Sequence, residues 1–226
     1  MEFINTYLPN VVTFWDYIVK AIWETGYMVS LSLVLSALVG IPLGVLLVIT
    51  SKGHLKPMPA LYQVLSIIVN IFRSIPYIVL IIILIPVTRV LINTSIGPNA
   101  AILSLVVGAA PFVARLVETS IREVDKGVIE ASQSMGATTW QIIYKILLPE
   151  SLPGIISGVT VTAISLVGFS AMAGVVGAGG LGAMAYNYGF NGFKTDIMIV
   201  TTVLLIVMVQ VIQMIGDVIA RKLDHR

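Results

Sequence analysis

The chain of 226 residues contains no cysteine, so disulfide staples and thiolate metal sites are excluded. Charge is nearly as scarce. Only 11% of the residues are Asp, Glu, Lys or Arg, where soluble domains carry about a quarter. Histidine occurs only at His54 and His225, and the sequence offers no carboxylate pair, histidine cluster or metal-ligand spacing for an enzyme. A net charge of +2 is too small to call for a nucleic acid. What is abundant is apolar sequence: 58% of residues are hydrophobic and the mean hydropathy is +1.01. A hydrocarbon core about 30 Å thick takes about 20 residues of helix to cross, and several uncharged runs reach that length. The class that follows is an all-α polytopic membrane protein.

Residues 1–21 lack the basic start and compact apolar stretch of a cleavable signal, and read as an external, interfacial lead-in. Trp15, Tyr17, Trp23 and Tyr27 suit an aromatic belt. The first span falls between Glu24 and Lys52, with Gly40 and Gly44 spaced for close helix approach and Pro42 expected to kink it. From Met58 to Thr88 the apolar sequence is too long for one straight span and too short for two. It reads as one bent span, broken at "FRSIP". Further spans follow between Val90 and Arg115, from Ser151 to the glycine-rich "GVVGAGGLG" at Gly174–Gly182, and from Ile197 to Gly216. That makes about five, which places the chain ends on opposite sides. Lys52, Lys56, Arg115, Arg122, Lys126, Lys145, Arg221, Lys222 and Arg226 belong to one set of loops; the other holds Lys20, Arg89 and Lys194. The richer set is expected in the cytoplasm, with the amino terminus outside and the tail, residues 218–226, inside.

Gly177, Gly179 and Gly182 match G-x-G-x-x-G, with Asp196 downstream. A dinucleotide site needs that pattern between a strand and a helix. Here it lies where a membrane helix ends, so a tight turn and close packing explain the glycines better. Ser170 in "GFSA" lacks a base, since both histidines lie in cytoplasmic segments. Arg73 is costly in lipid. It either lines a polar pathway at a structural break or reaches the interface while Pro76 redirects the chain. Arg115 and Glu118 stand one helical turn apart and suit an ion pair.

The polar loop 119–150 is the exception to this apolar chain. Asp125 is placed to begin a helix reaching about Met135, and Gly136 to end it in the left-handed region. Thr138 and Gln141 form a capping box for a second helix, from about Thr139 to Leu147, which Pro149 is expected to stop. Val128, Ala131 and Met135 form one apolar stripe. Trp140, Ile143 and Leu147 form another, with Ile142 and Ile146 on a further face. Short helices with apolar faces on two sides call for two neighbours: the ends of their own spans, and either a partner protein or further packing within the chain itself.

This loop resembles the signature of ABC-importer permeases, E-A-A-x-x-x-G, nine residues, then I-x-L-P. Glu130, Ala131, Gly136, Ile146, Leu148 and Pro149 fit, and Ser132 replaces the second alanine. "IVNIFRSIPYIVLIIILIPVTR", "VGAAPFVARLVE" and "VVGAGGLG" followed by "YNYGF" resemble the methionine-uptake branch. The resemblance implies a type I ABC-importer permease domain over residues 22–217, with a two-helix coupling loop between spans three and four. It implies a second copy of the chain, two cytoplasmic ATPase subunits carrying ATP and magnesium, and an external solute-binding lipoprotein. No cofactor is expected on this chain, which has no phosphate loop of its own. Glu130, Ala131 and Gly136 would seat the coupling helix in the ATPase. Ser165, Phe169, Ser170 and Met172 are expected along the translocation path. L-methionine is the first expected substrate and D-methionine the second, with other amino acids or osmoprotectants as alternatives. An ion-coupled secondary transporter is the rival class, though neither repeated halves nor midplane carboxylates support it.

Overall fold

The computed structural model describes residues 8–223, so the start of the lead-in and the end of the tail, Arg226 included, lie outside the described residues. Within them every regular element is helical. A short helix α1 (Pro9–Thr13) precedes α2 (Trp15–Thr50), which runs unbroken through Pro42 and begins well before Glu24. The lead-in has no residue that stops a helix between Trp15 and Glu24, so the first span simply extends into it. A Cβ at Gly40 would stand 2.6 Å from Val113 Cβ, and one at Gly44 2.6 Å from the Ala114 carbonyl. These two glycines let α2 lie against α5 (Pro98–Arg122) at near-backbone distance.

Between them run α3 (Pro59–Ser74) and α4 (Tyr77–Ile92), bent against each other by 105°. The break falls at Ile75 and Pro76, as "FRSIP" predicts. Ile75 is extended (φ −77°, ψ 123°), the conformation imposed on a residue before proline. The next span starts later than expected: Val90 still belongs to α4, which closes at left-handed Asn93, and α5 begins at Pro98.

After α5 come α6 (Lys126–Ser134) and α7 (Thr139–Ile142). Pro149 does not stop the second loop helix. A π-helical turn, Ile143–Leu147, joins α7 to α8 (Leu148–Ala173), so helix continues from Thr139 through Ala173. Proline clashes with the carbonyl four residues earlier and has no N–H to give. The widened turn just before Pro149 accommodates both defects. The second loop helix is thus the first part of the following span.

The helix breaks within Gly174–Ala178, where Val176 (φ −98°, ψ 17°) and Gly177 (φ 99°, ψ 14°) leave helical geometry; α9 (Gly180–Met184) and a wide turn, Ala185–Phe190, then lead into α10 (Thr195–Leu223). Among the described residues four helical stretches are long and apolar enough to cross a bilayer, and the bent pair α3–α4, taken as one broken span, makes five. Helix α5 sits centrally, packed on α2, α8, α3 and α4. The core has three parts. A middle cluster includes Met28, Tyr77, Leu105 and Leu166. Val48, Val117, Ile121 and Leu147 fill the end near the polar loop, and Ile18, Leu181 and Ile197 the opposite end.

Candidate functional site

Two features stand out: a helical corner at the basic end of the bundle, and a cleft at the bend of α3–α4. The corner forms as its local sequence dictates. Asp125 caps α6 by accepting from the Gly127 N–H at 2.6 Å. Gly136 turns the chain at φ +80°, where a side chain would be strained. Thr138 Oγ1 accepts from the Gln141 N–H (3.4 Å) and Gln141 Oε1 from the Thr138 N–H (2.8 Å), completing the capping box.

Ile129 and Ser132 of α6 turn inward with Ile142, Ile143 and Leu147, against Val48, Val117 and Ile121. The stripe of Val128, Ala131 and Met135 therefore faces away from the bundle, while Ile143 and Leu147, expected beside Trp140, face into it. The π turn rotates the positions after Ile142, which separates Trp140 from its expected companions. Met135 is 80% exposed and Trp140 67% exposed, with Trp140 stacked on exposed Tyr144 at 5.8 Å. Glu130, Ala131, Gly136 and Pro149 are exposed, and Ile146 and Leu148 half-buried. Glu130 also lines a small crevice with Lys126 and Gln133, facing the α2–α3 link at Gly53, His54 and Leu55. Burial there, then the charges of Arg122 and Lys126, hold the His54 pKa below its usual value.

Glu118 is only 2% exposed and joins the corner to the bend. It pairs with Arg115 at 2.6 Å, as the sequence spacing predicts, and with Arg122 at 2.8 Å. Helix α3 completes the knot: Tyr62 donates to Glu118 (3.3 Å), and Asn70 and Ser66 accept from Arg115 at 2.7 and 3.3 Å. Tyr62, Ser66 and Asn70 recur on one face of a helix, a helical spacing whose polar pattern could have marked them.

The cleft has a volume of about 240 Å³ and is walled by Phe72, Arg73, Tyr77, Phe112, Ser165 and Phe169 among others. Tyr77 and Phe169 stack at 4.6 Å with an interplanar angle of 11°, and the Tyr77 hydroxyl is 3.1 Å from Ser104 Oγ. The Arg73 guanidinium carbon lies 5.8 Å from the Phe112 ring centre. Of the four residues expected along the path, Ser165 and Phe169 reach this cleft. Ser170 is buried and donates to the Val167 carbonyl at 2.7 Å, while Met172 is exposed away from the cleft.

At the opposite end, sequence reading misses a clasp. Glu24 accepts from the Gly180 N–H (2.8 Å) and Thr25 Oγ1 from the Leu181 N–H (2.9 Å), securing the first turn of α9 to the first span. Gly177 and Gly179 turn the chain there with positive φ. Asp196 instead accepts from Asn10, through the backbone N–H at 2.9 Å and the side-chain amide at 3.0 Å. The glycine pattern serves a turn and close packing, as expected.

A helical membrane core with an open cleft at a broken span, and an outward apolar corner at its basic end, defines the transmembrane subunit of a transport assembly. The chain belongs to the family of binding-protein-dependent transport system inner membrane components, whose profile covers residues 40–226. The probable D-methionine transport system permease protein MetI of Vibrio cholerae is 52% identical over 212 residues, covering 93% of this chain and 94% of that protein. The methionine import system permease protein MetP of Bacillus subtilis is 50% identical over 222 residues, or 97% of this chain and 98% of its own. A chain of the inward-facing MetNI methionine ABC transporter superposes with a TM-score of 0.93 at 48% identity, covering 94% of this chain and 99% of that one. An amino acid ABC transporter with histidines shares the fold alone, with a TM-score of 0.76 at 18% identity, over 94% of this chain and 97% of its own.

Proposed function

We propose that this chain is the permease subunit of an ATP-driven methionine importer. It works as a homodimer with two cytoplasmic ATPase subunits, which bind ATP and magnesium, and takes substrate from an external binding protein. The basic end, with the corner α6–α7, faces the cytoplasm. The observation that carries this reading is the corner itself: Glu130, Ala131, Gly136, Ile146, Leu148 and Pro149 keep the permease spacing on a helix pair whose free face is apolar. Identity of 50% to a methionine permease over nearly the whole chain supports the substrate.

In this reading ATP binding draws the ATPases together and displaces the corner. Because α7 continues into α8, and the Glu118 knot joins α5 to α3, that displacement reaches both walls of the cleft. Two packings of the same helices, one open to each side, are what ATP and the loaded binding protein bias. Proteoliposomes holding the chain, its ATPase and its binding protein test the proposal through radiolabelled uptake across an amino-acid panel. Methionine should accumulate only with ATP inside the ATPase-facing compartment. Accumulation driven by an ion gradient without ATP, or preference for another amino acid, would overturn it.

A further inference from the structure

Arg73 stands at the cleft where α3 meets α4. It lies against Phe112, one helical turn before Arg115 on α5, and lines the cleft at the bend of α3–α4. The other two arginines of this region have a carboxylate partner, since Arg115 and Arg122 share Glu118. Among the described residues no acceptor takes a hydrogen bond from Arg73 and no carboxylate pairs with it. Its ring contact uses none of the five guanidinium N–H donors. A cation with free donors in an aromatic-walled cleft matches a carboxylate, which guanidinium can hold through two parallel hydrogen bonds.

The rest of the cleft narrows the ligand further. Ser165 donates to the Val161 carbonyl at 3.0 Å, so its oxygen lone pairs remain to accept from an ammonium. Phe72, Tyr77, Phe112 and Phe169 offer aromatic surface to an unbranched apolar or thioether chain. No acidic residue lines the cleft, so a basic side chain would meet Arg73 unopposed. A volume of about 240 Å³ falls below the roughly 300–1,000 Å³ of sites for drug-sized ligands, which suits a single amino acid.

We infer that Arg73 binds the α-carboxylate of the transported amino acid inside this cleft, while the aromatic wall takes its neutral side chain. This rests on the import reading above and adds a substrate site within the membrane, distinct from selection by the binding protein. The test measures binding of radiolabelled L-methionine to the solubilised permease–ATPase complex without binding protein, with L-methioninamide as competitor. The wild type should bind methionine and discriminate against the uncharged amide by about tenfold or more. Arg73→Gln should lose methionine affinity by a similar factor and abolish that discrimination, and Arg73→Lys should restore part of it. Undiminished methionine binding by R73Q would overturn the inference. So would equal competition by the amide on the wild type, a result that needs no variant to fold, and so would absence of methionine binding to the wild-type complex. Uptake by wild-type proteoliposomes separates the two readings: its absence overturns the import function, whereas intact uptake with any of those binding results removes only the Arg73 site.

Discussion

Single residues here act chiefly by what they neutralise or let approach. Glu118 is the clearest case, a buried carboxylate between two arginines and a tyrosine hydroxyl. Removing one partner of a buried pair leaves the other charge uncompensated. Glu118→Gln keeps the shape and removes the charge, and should destabilise the solubilised protein by about 3 kcal/mol, the low end for buried pairs because both arginines keep some solvent. A lowered midpoint of thermal unfolding is the expected reading; an unchanged one would show that the knot contributes only shape. His54 gives a pH prediction of definite sign. Burial, with Arg122 and Lys126, depresses its folded pKa below the usual 6.5. The unfolded link then takes up the proton first, so stability is fully present above about pH 6.5 and falls as pH drops toward the folded value. Hydrogen-exchange protection factors at residues 53–58 and 126–133, corrected for the intrinsic pH dependence of exchange, should fall between pH 7.5 and 5.5, and His54→Gln should flatten that response.

At the scale of elements, the corner is specified locally and the spans are not. Asp125, Gly136 and the Thr138–Gln141 box lie within a few residues of the groups they serve, which is why they can be read directly. Thr138→Ala removes one side-chain cap and should cost the α7 start about 1 kcal/mol. The Gln141 amide should lose roughly fivefold of its exchange protection, since about 1 kcal/mol is a factor of five; unchanged protection would mean the neighbouring spans alone hold the corner. Pro149 shows where local reading fails. Its role as a stop follows from an α-helical register, and the π turn at Ile143–Leu147 changes that register. The same shift turns Ile143 and Leu147 inward and leaves Trp140 paired with Tyr144 outside. Periodicity alone gives no warning of an inserted π turn.

For the whole molecule, hydropathy makes the spans legible because lipid demands long apolar helices. The bend at "FRSIP" is legible because proline constrains its predecessor. The cleft is not, because its walls come from α3, α4, α5 and α8 and meet only in the folded bundle. The clasp of Glu24 on Gly180 joins residues 156 positions apart, and no local pattern announces it. Ser165 and Phe169 against Ser170 and Met172 make the same point. All four sit on one helix, and only packing decides which two face the cleft. The central claim is that the exposed corner transmits ATPase motion to that cleft. Its most direct measurement is ATP-driven methionine uptake by proteoliposomes carrying Trp140→Glu, read beside the amount of ATPase retained by the purified permease. A charge placed on the apolar docking face should abolish both uptake and ATPase retention while membrane insertion and the melting transition stay as in the wild type. Uptake and retention at wild-type levels would contradict the claim.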